Sequence, residues 1–102
     1  MAESTQTGIA LREVFRVEED IVASSATGLR AKMKDLMNRG VAEMVLDLSK
    51  VRMVDSAGIG LLISAHNSLK KVGGSLEITN VCPEILELFR SMRMHRHFKI
   101  SD

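Results

Sequence analysis

Apolar and polar positions follow two periods along this chain, one of about two residues and one of about 3.6. Over residues 9–17, Ile9, Leu11, Phe15 and Val17 stand among polar neighbours. That pattern predicts one strand, or two short ones parted near Arg12-Glu13. Glu18, Glu19 and Asp20 form a charged turn. Behind Ser24 or Ser25, either of which fits an N-cap, Ala26, Leu29, Met33, Leu36 and Met37 recur at helical spacing as far as Gly40. Residues 44–48 are almost continuously apolar, as in a central strand covered on both sides, or on one side plus a neighbouring element. A second helical stripe begins after Ser56, with Gly58, Leu61, Leu62, Ala65, Leu69 and Val72, and ends at Gly73-Gly74. Leu76, Glu77, Ile78 and Thr79 alternate as a strand does. Pro83 opens a third helix at its first turn, with Ile85, Leu88, Phe89 and Met92 as its buried face. Residues 97–100 form a last short strand.

Strands separated by helices predict βαβ crossovers and parallel pairing. The expected fold is α/β: a small mixed, mostly parallel sheet of four to five strands, with about three helices packed mainly on one face. Residues 1–8 are polar and read as a flexible tail, and 9–102 as a single domain. The chain has 102 residues, 45% of them hydrophobic, 3% aromatic, and seven Met. Leu, Ile, Val and Met must therefore build the core.

A formal net charge of +1 gives no reason to expect nucleic acid or a membrane surface as the main partner. Cys82 is the one cysteine, which fits a reducing cytoplasm. The N-terminus lacks a basic start with an apolar run, and no apolar run reaches the ~18 residues of a membrane span. A cytoplasmic protein is expected.

The chemistry concentrates where an apolar stretch runs into Asp55-Ser56-Ala57-Gly58-Ile59-Gly60. The first amides of a helix have no partner within it, and the helix dipole is positive there. A phosphate on Ser56 would meet donors, and glycines at 58 and 60 leave room for approach. It would also add about −1.5 to −2 charges beside Asp55. Asp and Ser also serve as plain caps at helix starts, and the turn alone leaves both readings open.

Other constellations are weaker. Gly58-x-Gly60 lacks the third glycine of a dinucleotide loop, since position 63 is Ile. His66 lies ten residues beyond Ser56 on the same helix, about 15 Å along its axis, so the two cannot share a catalytic triad. His95 and His97 have no evident third metal ligand. Arg90, Arg93, Arg96 and Lys99 read as a solvated basic face. No catalytic group, cofactor or metal site is expected.

The stretch from Val45 through Leu62, with its Asp55-Ser56-x-Gly58-x-Gly60 core, resembles the signature of STAS domains, particularly bacterial anti-sigma factor antagonists. The resemblance continues through residues 71–78 and 81–89 and covers roughly residues 12 to 100. It implies a non-enzymatic regulator of transcription. In that family the serine directly after this Asp is phosphorylated by an anti-sigma factor that is itself a serine kinase, and a phosphatase reverses the change. The unmodified form binds the anti-sigma factor and frees the sigma factor. The matching serine here is Ser56. The partner surface is expected to comprise Ser24, Asp55, Ala57, Gly58 and Ile59. The chain departs from the family at residues 19–22, where a Gly-x-Leu-Asp turn is common and Glu-Asp-Ile-Val stands instead. The alternative function is an unphosphorylated scaffold in a sensory complex, or an accessory subunit of a membrane transport system.

Overall fold

Four strands and three helices alternate through residues 11–102, the part of the chain that the computed structural model describes. They are β1 (Leu11–Arg16), α1 (Ala23–Asn38), β2 (Val41–Asp47), α2 (Ser56–Lys71), β3 (Ser75–Thr79), α3 (Pro83–Ser91) and β4 (Lys99–Ile100), with a single 3₁₀ turn at Met94–Arg96. The expected tail at 1–8 lies outside the described residues, as does the start of the first strand.

The sheet runs in the order β1-β2-β3-β4, and all its described pairings are parallel. It is therefore four-stranded and wholly parallel among the described residues, not mixed. Strands added in sequence order by right-handed crossovers place successive helices on the same face, as expected.

Register separates the two faces. Phe15 is level with Leu46, Met44 with Leu76, and Leu46 with Ile78. These side chains belong to or pack on the same buried cluster as Met33, Leu62, Leu69, Ile85 and Phe89 of the helices. Each fully buried large apolar side chain contributes about 1.5–3 kcal/mol of burial. The opposite rows carry Arg12, Val14 and Arg16 beside Glu43, Val45 and Asp47, then Ser75, Glu77 and Thr79. A register shift sits between Leu11 and Arg12, close to the predicted break in this strand.

Local chemistry sets the ends. Neither Ser24 nor Ser25 caps α1. Val22 is its N-cap, and Ser25, three residues on, accepts from the Val22 amide at 3.1 Å. Only this half of a capping box exists, because a valine side chain has no acceptor. Pro83 occupies the first turn of α3, as predicted. That helix stops at Ser91, and Arg93 turns left-handed at φ 59°. Met92 consequently faces outward, not into the core. At the N-terminal edge of the strands, a Cβ on Gly74 would sit 1.8 Å from the Ala42 carbonyl oxygen, so β3 can begin this close to β2 only with glycine there.

Candidate functional site

Two loops meet at the C-terminal edge of the sheet, one joining β1 to α1 and one joining β2 to α2. Ile21 and Val54 form an isolated parallel bridge between them. The Ile21 amide donates to the Met53 carbonyl at 3.0 Å, and the Asp55 amide donates to the Ile21 carbonyl at 3.2 Å. Asp20 adds a clasp: its Oδ1 accepts from the amides of Arg52 at 2.7 Å and Met53 at 3.1 Å. These links hold the turn before α2 against the start of α1.

Asp55 is the N-cap of α2. Its Oδ1 accepts from the Gly58 amide at 2.9 Å, and its Oδ2 from the Ala23 amide at 3.0 Å. One carboxylate thus caps the first turns of two helices. Those two amides, Gly58 first, hold its pKa below the usual carboxylate value, because both favour the ionised form.

Ser56 follows as the first residue of α2 and is exposed. No hydrogen bond among the described residues engages its hydroxyl. The Gly58 amide is held by the Asp55 side chain and the Ile59 amide by the Asp55 carbonyl. The donor left for an anion at this end is the amide of Ser56, with that of Ala57 shared with the Asp55 carboxylate.

Ser24 and Ala57 are exposed and Asp55 is half-buried. Gly58 and Ile59, also expected on the partner surface, are buried in the free chain. The reason at Gly58 is steric. A Cβ there would lie 2.1 Å from the Ile21 carbonyl oxygen and 2.9 Å from Val54 Cγ1. The close approach this glycine permits is between the chain's own loops. Gly60 differs: a Cβ there would meet nothing within 4 Å, and the residue faces solvent one turn beyond Ser56.

Three residues around this turn have roles that the sequence reading missed. Asp20 looked like part of a charged turn, yet it binds backbone thirty-odd residues away. Met53 is 58% exposed beside the turn, an apolar side chain with no place in the core. Ser25 revealed itself only as a polar residue three after the true cap. No group of three or more His, Cys, Asp or Glu that could hold a metal occurs among the described residues. No helix among them is long and apolar enough to cross a membrane.

A Bacillus subtilis protein, the anti-sigma-B factor antagonist, is 34% identical over 70 residues, 69% of this chain and 63% of that protein. The chain thus spans under two thirds of this relative's length. Among solved structures, one from Thermotoga maritima, described as a candidate anti-sigma factor antagonist, superposes with a TM-score of 0.82 at 20% identity, covering 87% of this chain and 77% of that one. The anti-sigma factor antagonist SpoIIAA in its unphosphorylated form gives 0.71 at 19% identity, covering 92% and 83%. Its phosphorylated form, from Bacillus, gives 0.70 at 17%, covering 95% and 88%. At such identities these structures speak for the fold. The STAS domain family model matches residues 4–102, nearly the whole sequence, and with this match the chain belongs to the STAS domain family.

Proposed function

We propose that this chain is an anti-sigma factor antagonist. In this reading it binds an anti-sigma factor that carries serine kinase activity, and phosphorylation of Ser56 by that partner switches the binding off. A phosphatase resets it, the cycle runs in the cytoplasm, and the chain performs no catalysis of its own. The observation that carries the reading is the exposed Ser56 hydroxyl at the start of α2, unengaged by the described residues and set beside a carboxylate that caps two helices.

The physical logic is local. A kinase needs a serine it can reach without unfolding the substrate, and the first residue of a helix on a braced turn provides one. The Ser56 amide, the shared Ala57 amide and the helix dipole soften the cost of the new charge. The fold therefore survives modification, while a partner seated on Ser24, Met53, Asp55, Ala57 and Gly60 meets a phosphate and a carboxylate side by side. The names of the B. subtilis relative and of SpoIIAA, and the existence of SpoIIAA in both phosphorylation states, support the same reading.

The test is incubation with ATP and the kinase-type anti-sigma factor of the same organism, followed by mass spectrometry. One phosphoryl group is expected on Ser56, and none in Ser56→Ala. Phosphate on another residue, or unchanged uptake in the variant, would overturn the assignment.

A further inference from the structure

Beyond the Ser56 turn, α1 and α2 pack side by side and leave a groove of about 200 Å³ between them. Its floor is apolar: Met33 and Leu61 are buried and Met37 is half-buried. Ser64 and Ser68 of α2 form one wall, and Arg30 and Lys34 of α1 the other. The groove is continuous with the turn. Gly60 stands about one helical turn beyond Ser56, Ser64 about two turns, or about 12 Å along the axis, and Ser68 about three. A Cβ on Gly60 would meet nothing within 4 Å, so no bulk stands at that point between turn and groove.

The charge on this groove is one-sided. Arg30 and Lys34 are exposed and stand four positions apart on one face of α1, where like charges repel and destabilise a helix. Among the described residues nothing relieves them. The ion pairs there join Arg16 to Glu18 and Arg39 to Asp35, and no carboxylate lines the groove. Lys32, between the two, is engaged elsewhere, over the Phe15 ring at 4.2 Å. Two neighbouring helices with an apolar furrow between them offer the shape that takes a third helix by its apolar face. The methionines of the floor adapt to the side chains inserted, and a carboxylate on the edge of such a helix would meet Arg30 and Lys34.

We propose that an acidic amphipathic helix of the anti-sigma factor lies in this groove, with apolar side chains on Met33, Met37 and Leu61 and carboxylates toward Arg30 and Lys34. The inference rests on the proposed function and adds to it a second anchor, away from the serine. The turn carries the modification, and the groove supplies orientation and affinity that the phosphate does not touch. Small residues at 60, 64 and 68 let the incoming helix approach α2 closely. The two cations on the rim also speed encounter with an acidic surface.

The test is calorimetric titration of the full chain with the kinase-type anti-sigma factor of the same organism, together with initial rates of phosphorylation. All the residues changed are exposed. Arg30→Glu with Lys34→Glu exchanges one like-charged pair for another and so leaves the repulsion within α1 in place. It should weaken binding at least tenfold and raise KM for phosphorylation by a similar factor, with kcat unchanged. Ser64→Gln, a neutral change that fills the groove, should weaken binding at least threefold. Arg90→Glu with Arg96→Glu, the same charge change outside the groove, should bind within twofold of wild type. If both groove variants bind and are phosphorylated as wild type is, the groove proposal falls and the proposed function stands. Equal weakening by the Arg90, Arg96 pair assigns the effect to overall charge and overturns the groove as well. A free chain that sediments as a dimer, and as a monomer once Ser64→Gln is introduced, gives the groove to a second copy and overturns it too. Failure of wild type to bind at all removes the groove and the proposed function together.

Discussion

The carboxylate of Asp55 accepts from the amide of Ala23, 32 residues earlier in the chain, at 3.0 Å. That bond joins the starts of α1 and α2 through a side chain whose other oxygen already caps α2. The turn carrying Ser56 is therefore positioned by two helices and not by one. Under the proposed phosphorylation of Ser56, such bracing would keep the surface in one geometry in both states.

Asparagine at this position is the sharpest probe of the double cap. Asp55→Asn keeps one acceptor oxygen and turns an amine toward one of the two amides, so one helix start loses its partner. Stability at neutral pH should fall, read as a lower urea midpoint. The Gly58 and Ala23 amides lower the Asp55 pKa from 3.8. Its contribution is therefore complete above 3.8 and is lost as pH falls through the lower folded value. The gap between wild type and variant should stay constant from pH 7 to 5 and close on further acidification. Asp47, whose pKa the Ser49 amide lowers first, has the same sign, so the variant keeps part of the acid limb. A gap that widens below pH 4 would sink this account.

Gly58 and Gly60 should respond in opposite directions to alanine. At Gly58 the new Cβ collides with backbone of Ile21, and overpacking of that kind costs about 1–3 kcal/mol. At Gly60 the Cβ enters open space, and removing a mid-helix glycine stabilises by up to about 1 kcal/mol. Urea denaturation of the two variants checks both. If Gly60→Ala also weakens binding of the proposed anti-sigma factor partner, that glycine serves the interface at the expense of the helix.

That pair marks where sequence reading succeeds and where it runs out. The stripe of α1, that of α2 as far as Leu69, the alternation at residues 76–79 and Pro83 at the start of α3 are all local signals, and each appears in the structure, whereas Val72 lies past the end of α2 and is exposed. Gly58 and Gly60 share one Gly-x-Gly motif, yet only the fold decides which faces backbone and which faces solvent. Asp20 and Asp55 bind amides more than thirty positions away, and no local pattern encodes such a link. Met92 falls on the apolar stripe of α3, but the left-handed Arg93 ends the helical path and leaves it outside.

The buried histidine gives a pH dependence of its own. Burial, then His97 and Lys70, lower the His66 pKa from 6.5. The folded chain thus binds fewer protons there than the unfolded chain. Stability is full above 6.5, declines as pH falls through that value, and levels off below the folded pKa. Urea midpoints between pH 7.5 and 5.5 should fall more in wild type than in His66→Leu, which has nothing to protonate. Equal slopes in the two proteins would show that His66 does not control this limb.

Ser56 itself should matter little to the fold and greatly to recognition. Its hydroxyl is exposed and free of hydrogen bonds to the described residues, so Ser56→Ala should leave stability within about 0.5 kcal/mol. The same variant should still bind the anti-sigma factor, because the surface formed by Ser24, Met53 and Ala57 is unaltered. Ser56→Asp sets a second carboxylate beside Asp55, in the place where the proposed partner packs. A loss of about 3 kcal/mol, on the order of 100-fold in affinity, is expected in calorimetric titration, with the thermal midpoint of the free protein almost unmoved. Unchanged binding by Ser56→Asp, together with phosphorylation of wild type that fails to release the partner, would leave Ser56 as a helix residue and nothing more.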